Sequence, residues 1–368
     1  MGHFKILSTS AICLCLAMPL SAMDAAEIKE AYNMAETLRK TASTEADLAK
    51  ALDIQQGLYD QGNRKSLLRM AQLQVALGQG EDALKSFTAA SDAGSGYARH
   101  LLAVHHARSD FGAVSQPDVG LATLKEMAAQ QDGQRAQLAL AELYQDGIGG
   151  SRADANAIFA DLALAGDSRA AKIVLRSHEK RSTRVQGLDV VGVVSAMEAN
   201  LEKGDGRAAD VLARAYLRLD RYIPNAAKRH RDLVANHIDL LPESKQLAEI
   251  VSAEYDYLNH SASARKLTAQ LEPATGEPFV KAALRLRGIE KTAFVYLLQK
   301  ELAALDAYSG PATGKLTTRT IRSVFAYCRK NDIFETCKHG PVNYDSSLLI
   351  ARAIGAEKAA RLSQTASN

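Results

Sequence analysis

The chain contains no tryptophan, and aromatic residues make up only 5% of its 368 positions. Runs of β-branched residues are scarce as well. Ala and Leu dominate the apolar fraction of 47% instead. That is the composition of close-packed helices, because both residues have high helix propensity and Ala lets helices approach closely. A strong charge imbalance is also missing: the formal net charge is +3, and no Lys/Arg cluster is interleaved with aromatics. Both features disfavour a nucleic-acid partner. No Gly-x-Ser-x-Gly elbow, phosphate loop, dinucleotide fingerprint or His-Glu-x-x-His motif occurs, so the chain is expected to be no enzyme and to carry no cofactor or metal. Carboxylates are spread at helix-surface spacing, and i,i+4 pairs such as Glu36 and Lys40 read as solvated faces.

Cysteine is sparse too, four in all. Cys13 and Cys15 fall within residues 1–22, which read as a secretory signal peptide. Lys5 follows His3 in a short n-region, Ile6 to Leu20 is uncharged, and Ser21-Ala22 supplies small residues for cleavage. Retention as an uncleaved anchor is the alternative, although the apolar stretch is short for a transmembrane helix. Neither cysteine sits in a bacterial lipoprotein pattern, and no later segment could span a membrane. Removing the signal leaves Cys328 and Cys337, an even pair most simply joined as a disulfide in an exported chain. Two buried free thiols are the other reading.

A length of 368 residues exceeds one ordinary core, so several domains or a repeat array are expected. Self-comparison favours the array. Ala165-Gly166-Asp167-Ser168-Arg169-Ala170-Ala171 returns as Lys203-Gly204-Asp205-Gly206-Arg207-Ala208-Ala209, a shift of 38 residues. Gly94 to Ala98 and Asp132 to Ala136 occupy the same place upstream, so Ala98, Ala136 and Ala170 are spaced by 38 and 34 residues. Weaker copies begin near Gly62 and Leu241. Periods in the thirties indicate helix–turn–helix solenoids. Within the unit from Ala136 to Gly166, Leu140, Leu143 and Tyr144 share one helical face, and Asp146 to Gly150 turns the chain. A second helix from near Asp154 carries Ala155, Ile158, Phe159 and Leu162 inward.

These residues resemble the Sel-one-like repeats, a subclass of the tetratricopeptide-like solenoids. The likeness is carried by Ala139, Leu143, Tyr144, Gly147, Gly149, Asp154, Ala155, Ala163, Ala165 and Gly166. It covers roughly residues 45 to 245, with Phe159 and Phe87 where the family often has Trp. The resemblance implies an all-α, right-handed solenoid of about six helix pairs over residues 23–288 that binds other proteins rather than catalysing a reaction. Whether residues 23 to 45 form another repeat or an N-terminal cap stays open.

After Gly288 the period is lost. Phe294 to Leu302 is a compact amphipathic helix, followed by Leu305, Tyr308-Ser309-Gly310-Pro311, Gly314-Lys315-Leu316 and Thr320 to Phe325. Gly310-Pro311 turns the chain, and Thr317 or Thr318 can cap the last helix. This order resembles the small helical peptidoglycan-binding domain of bacterial envelope proteins. Asp306 stands where that family prefers Gly, Ala326 replaces its usual Gln, and the Cys328–Cys337 loop is an addition. The resemblance implies a domain over 289–345, then a C-terminal helix and frayed tail over 346–368. It makes Tyr296, Tyr308 and Tyr327 candidate glycan or peptide contacts; packing is the alternative for each.

His105-His106 cannot share a metal without a third ligand, since consecutive helical residues point about 100° apart; one solvated and one packed histidine is expected. Cys328, Cys337 and His339 lack a fourth zinc ligand. His178 to Arg184 reads as a charged loop between repeats. The expected protein is a periplasmic scaffold that binds envelope proteins, and its resemblance to periplasmic repeat proteins implies a role in exopolysaccharide production, export or its regulation. A cell-wall or polysaccharide-binding module is the rival. A groove rich in exposed Tyr, Arg and Asn would favour glycan, and an apolar or mixed groove would favour protein. A deep pocket with convergent carboxylates would revive an enzyme.

Overall fold

The computed structural model describes residues 24–255 and 260–366, so the expected signal peptide, residues 1–22, lies outside it. Among the described residues there are nineteen α-helices, three short 3-10 turns and no strand. The protein is an all-α repeat architecture, and it divides into two compact units, the boundary falling between Ile158 and Phe159.

The first unit holds α1 (Ala25–Thr41), α2 (Glu45–Asp60), α3 (Lys65–Ala76), α4 (Gly80–Asp92), α5 (Gly96–Arg108), α6 (Pro117–Ala128), α7 (Gln134–Gln145) and the start of α8 (Arg152–Leu164). Residues 23–45, left open by the sequence, contribute a full helix to a further pair: α1 packs on α2. Both begin with a capping box, Asp24 with Glu27 and Thr44 with Asp47, which satisfies otherwise orphaned amides at each helix start. Glu36 does not serve Lys40 as a simple i,i+4 partner. It lies 3.1 Å from Arg39 and 3.2 Å from Arg69 on α3, which ties the first pair to the second.

Packing explains why the pattern repeats. Ala103 and Ala107 on α5, Leu124 on α6, and Ala136, Ala139, Leu140 and Leu143 on α7 form one buried cluster. Ala71 on α3, Ala83 and Phe87 on α4, and Phe111 just past α5 form another. Each cluster draws on at least two successive pairs, so no pair completes a core alone. Close approach needs small residues: a Cβ added at Gly120 on α6 would lie 2.5 Å from the Ala103 carbonyl oxygen and 2.6 Å from the Ala107 nitrogen.

The second unit continues with α9 (Ser168–Glu179), α10 (Val190–Leu201), α11 (Gly206–Arg218), α12 (Ala226–His237), α13 (Glu243–Ala253), α14 (His260–Ala269), α15 (Gly276–Ile289) and α16 (Lys291–Ala304). Within residues 23–288 the described helices run from α1 to α15, more than the twelve that about six pairs would need. The repeated heptapeptide has a specific job. Gly166 and Gly204 sit at φ 93° and 82°, a region that only glycine enters cheaply. Asp167 and Asp205 then cap α9 and α11 through backbone amides. The copies also touch: the Ser168 hydroxyl donates to Asp205 at 2.7 Å, and the Asn200 amide donates to the Gly166 carbonyl at 2.8 Å.

The 288/289 position falls in the last turn of α15, just before Glu290 leads into α16, and one core spans it. Phe279, Val280 and Leu286 on α15 share a cluster with Phe294, Leu297, Leu298 and Leu302 on α16. α16 is therefore buried nearly all round rather than amphipathic. The remaining elements are α17 (Thr318–Lys330), α18 (Phe334–Cys337) and α19 (Tyr344–Ala366). Thr317 caps α17, as one of the two expected threonines. Gln299 pins the loop ahead of it: its amide donates to the Lys315 carbonyl and the Thr320 hydroxyl, and its oxygen accepts from the amides of Thr313 and Gly314. Cys328 and Cys337 form a disulfide, both cysteines fully buried. α19 packs along α15, where Lys358 forms a buried ion pair with Glu301 at 2.7 Å and lies 4.7 Å from the Phe279 ring.

Two substitutions test this packing by thermal and urea unfolding. Gly120→Ala should destabilise by about 1–3 kcal/mol, because backbone rather than a flexible side chain must give way. Gly57→Ala on α2, where an added Cβ meets nothing within 4 Å, should stabilise by roughly 0.5–1 kcal/mol. Equal effects at the two sites would contradict the close α5–α6 contact. Lys358→Ala should cost about 3–5 kcal/mol by leaving Glu301 buried without its partner. A loss under about 1 kcal/mol would show that the pair is solvated.

Candidate functional site

The inner faces of α9, α11, α13 and α15 line an open groove of about 510 Å³ in the second unit. Each of these helices offers equivalent positions, so side chains one repeat apart fall into rows. One row is Lys172, Asp210, Lys245 and Lys281; the next, a helical turn along, is Arg176, Arg214, Glu249 and Arg285. A second depression of about 650 Å³ shares Lys172, Asp210 and Val211 and extends over Ser168 and Asp205 at the N-terminal turns of α9 and α11.

Among the described residues seven basic and three acidic side chains line the main groove, and each of the three carboxylates is engaged. Glu179 takes both arms of the Arg214 guanidinium at 2.6 and 2.7 Å, the bidentate geometry that arginine favours. Asp210 lies between Lys172, at 3.3 Å, and Lys245. Glu249, itself buried, accepts from Arg285 at 2.6 Å and lies 3.0 Å from the buried His230 ring. Lys281 donates to the Ser244 hydroxyl at 2.7 Å. Among the described residues, Arg176 and Arg218 have no carboxylate within 4.0 Å, and both side chains are exposed.

Electrostatics follow from this arrangement. Burial pushes the Asp210 carboxyl up, but Lys245 and Lys172 outweigh it and hold the group below its ordinary range. Glu179 raises Arg214. Arg285 is lowered, by burial first and then by Arg218 and Arg214 beside it, against the pull of Glu249. The three arginines thus form a cluster whose positive charge is only partly balanced. Leu175, Val211, Ala215, Leu217, Leu284 and Ile289 supply an apolar floor, and among the described residues no aromatic ring lines the groove.

The residues singled out from sequence lie elsewhere. Tyr327 is 2% exposed and Tyr308 8% exposed, so both rings are core packing. The Tyr308 hydroxyl donates to the Pro311 carbonyl at 3.2 Å, which fixes the Gly310-Pro311 turn; burial pushes the Tyr327 hydroxyl up, with Glu357 adding to it. Tyr296 is half-buried against the same core. The three do not assemble into a ligand face. His339 is exposed while the cysteines are buried in their disulfide. Both histidines of the His105-His106 pair are half-buried and engaged, rather than one of them being solvated. His105 Nδ1 is 2.7 Å from Asp110, and His106 Nδ1 accepts from the Gln116 amide at 3.0 Å. Of the charged run, His178 is buried against the Tyr222 ring, and residues 181–183 form a short 3-10 turn. Among the described residues no group of three His, Cys, Asp or Glu is placed to hold a metal, and no helix is long and apolar enough to cross a membrane.

Sequence reading missed the groove because its rows emerge only when repeats are aligned past residue 245, where the motif has decayed. The spacing of charged residues, 35 to 38 positions apart in the pairs that touch, was the available signal.

No family model and no curated protein matches the chain. A solved structure that is similar is that of a protective antigen present in uropathogenic Escherichia coli strains, described as displaying an SLR fold. It is 15% identical, the match covers 92% of this chain and 79% of that one, and the TM-score is 0.31.

Asp210 gives a pH test. Its folded pKa lies below the ordinary 3.8, so its contribution to stability is complete above the unfolded value and is lost as pH falls through the folded one. Asp210→Asn should therefore lower stability near neutral pH and flatten its decline below about pH 4 in urea unfolding. An unchanged acid slope would contradict the Lys172–Asp210–Lys245 arrangement.

Proposed function

We propose that this protein is a non-catalytic scaffold of the bacterial periplasm whose α9–α15 groove holds other envelope proteins. The observation that carries the reading is the groove itself. It is lined by equivalent positions of successive repeats, mixed in polarity and, among the described residues, without aromatic rings. Such a surface suits an extended or helical protein segment, which supplies apolar and charged groups together. Its carboxylates are tied up in ion pairs rather than converging on an empty position, which gives no support to acid–base catalysis. The Cys328–Cys337 disulfide fits export to an oxidising compartment, as does the signal-like character of residues 1–22.

The setting we propose, exopolysaccharide production, export or its regulation, comes from the resemblance to envelope repeat proteins alone. The rival, a cell-wall-binding module, has less support because Tyr308 and Tyr327 are buried.

The test is affinity capture from a detergent extract of the cell envelope with the full chain as bait, alongside sedimentation with purified peptidoglycan sacculi. Specific retention of envelope proteins with weak sacculus binding is expected. Strong sacculus binding with no retained protein would overturn the scaffold in favour of the wall-binding module.

A further inference from the structure

Resting on that reading and naming the partner's chemistry, we infer that the α9–α15 groove takes an acidic peptide segment with apolar side chains between its carboxylates. The charge pattern carries this. The resident carboxylates Glu179, Asp210 and Glu249 are already engaged by groove cations, so none is left to satisfy a basic ligand. Arg176 and Arg218, by contrast, stand exposed with no carboxylate of the described residues within 4.0 Å. They lie on neighbouring inner helices of the groove, and Arg218 adds its charge to the Arg214 and Arg285 pair.

An incoming carboxylate would meet planar guanidinium donors, which recognise that group in a bidentate manner. It would also relieve the repulsion among the three clustered arginines, a gain that a neutral ligand cannot provide. The apolar floor of Leu175, Val211 and Leu284 selects within the anionic class. A peptide can place aliphatic side chains there while its carboxylates reach the arginines. A polyuronate has no aliphatic side chain to offer. Single-stranded nucleic acid depends on stacking its bases on aromatic rings, and the described lining of the groove has none.

The experiment is fluorescence anisotropy with the full chain and a set of labelled short peptides alternating Glu or Asp with Leu or Val, each matched by a Gln/Asn version. Oligogalacturonate and oligo-dT serve as further probes. The acidic peptides should bind, more weakly as salt rises, and the Gln/Asn versions should bind at least about tenfold less tightly. The double variant Arg176→Glu with Arg218→Glu should weaken acidic-peptide binding about tenfold or more. Lys228→Glu, on α12 and outside the groove, should leave it unchanged. Both variants alter exposed side chains, and circular dichroism with matched melting temperatures confirms that they fold.

No binding of any acidic peptide would overturn the inference. So would equal binding of the Gln/Asn versions, an unaffected double variant, or oligogalacturonate or oligo-dT binding in place of peptide. The two readings fail differently. If envelope proteins are captured equally by the parent chain and the double variant, the acidic-segment inference fails and the scaffold stands. If the parent chain captures none, the scaffold itself fails.

Discussion

A single helix pair of this chain cannot bury its own apolar stripe, and that constraint governs the rest. Helices of about 10 to 17 residues are too short to be stable in water by themselves. Each must lean on the next pair, and the clusters joining α3 and α4 with Phe111, and α5 and α6 with α7, are the result. The dependence selects small residues at the contacts. Ala103, Ala107 and Gly120 let α5 and α6 approach closely, and Ala170, Ala171, Ala208 and Ala209 are all fully buried at the starts of α9 and α11. Chain length is added by repeating the solution rather than by enlarging one core.

Polar chemistry inherits the same period. Once equivalent helices are held in register, a side chain at one position faces its counterpart one repeat away. Ser168 meets Asp205, Glu179 meets Arg214, Asp210 meets Lys245, and Glu249 meets Arg285. These pairs are partly exposed, and isolated surface pairs contribute little to stability. Their consequence is geometric: they consume the three described groove carboxylates and leave a surplus of cations facing the opening. The binding surface is thus a by-product of register, and its charge is set by which positions in each row carry a base.

Much of the architecture was legible from residue order. The heptapeptide at 165–171 and 203–209 marked the repeat, whose glycine turns and aspartate caps the structure then revealed, and Leu140, Leu143 and Phe159 marked the buried faces of α7 and α8. Those signals are local, because a cap or a turn is specified by a few adjacent residues. The continuation through α15 and α16 was harder to read. There the turn glycines and the motif are gone, and only shared burial of Phe279, Phe294 and Leu297 reveals that the pairing persists. The tyrosines stayed open in the sequence for a related reason. An aromatic residue suits a ligand face or a core equally well by type, and only the docking of neighbouring segments buried Tyr327. The groove was least legible, since it exists only in the comparison of four helices whose sequences have diverged.

Nearest-neighbour dependence is the central claim, and native-state hydrogen exchange on Leu212→Ala tests it most directly. Leu212 is fully buried on α11, so its truncation should cost about 2–5 kcal/mol locally. Amides of α9 to α13 should then lose protection, while those of α3 and α5 in the first unit keep theirs. A uniform loss of protection across all helices would contradict the account and describe one globally cooperative core instead.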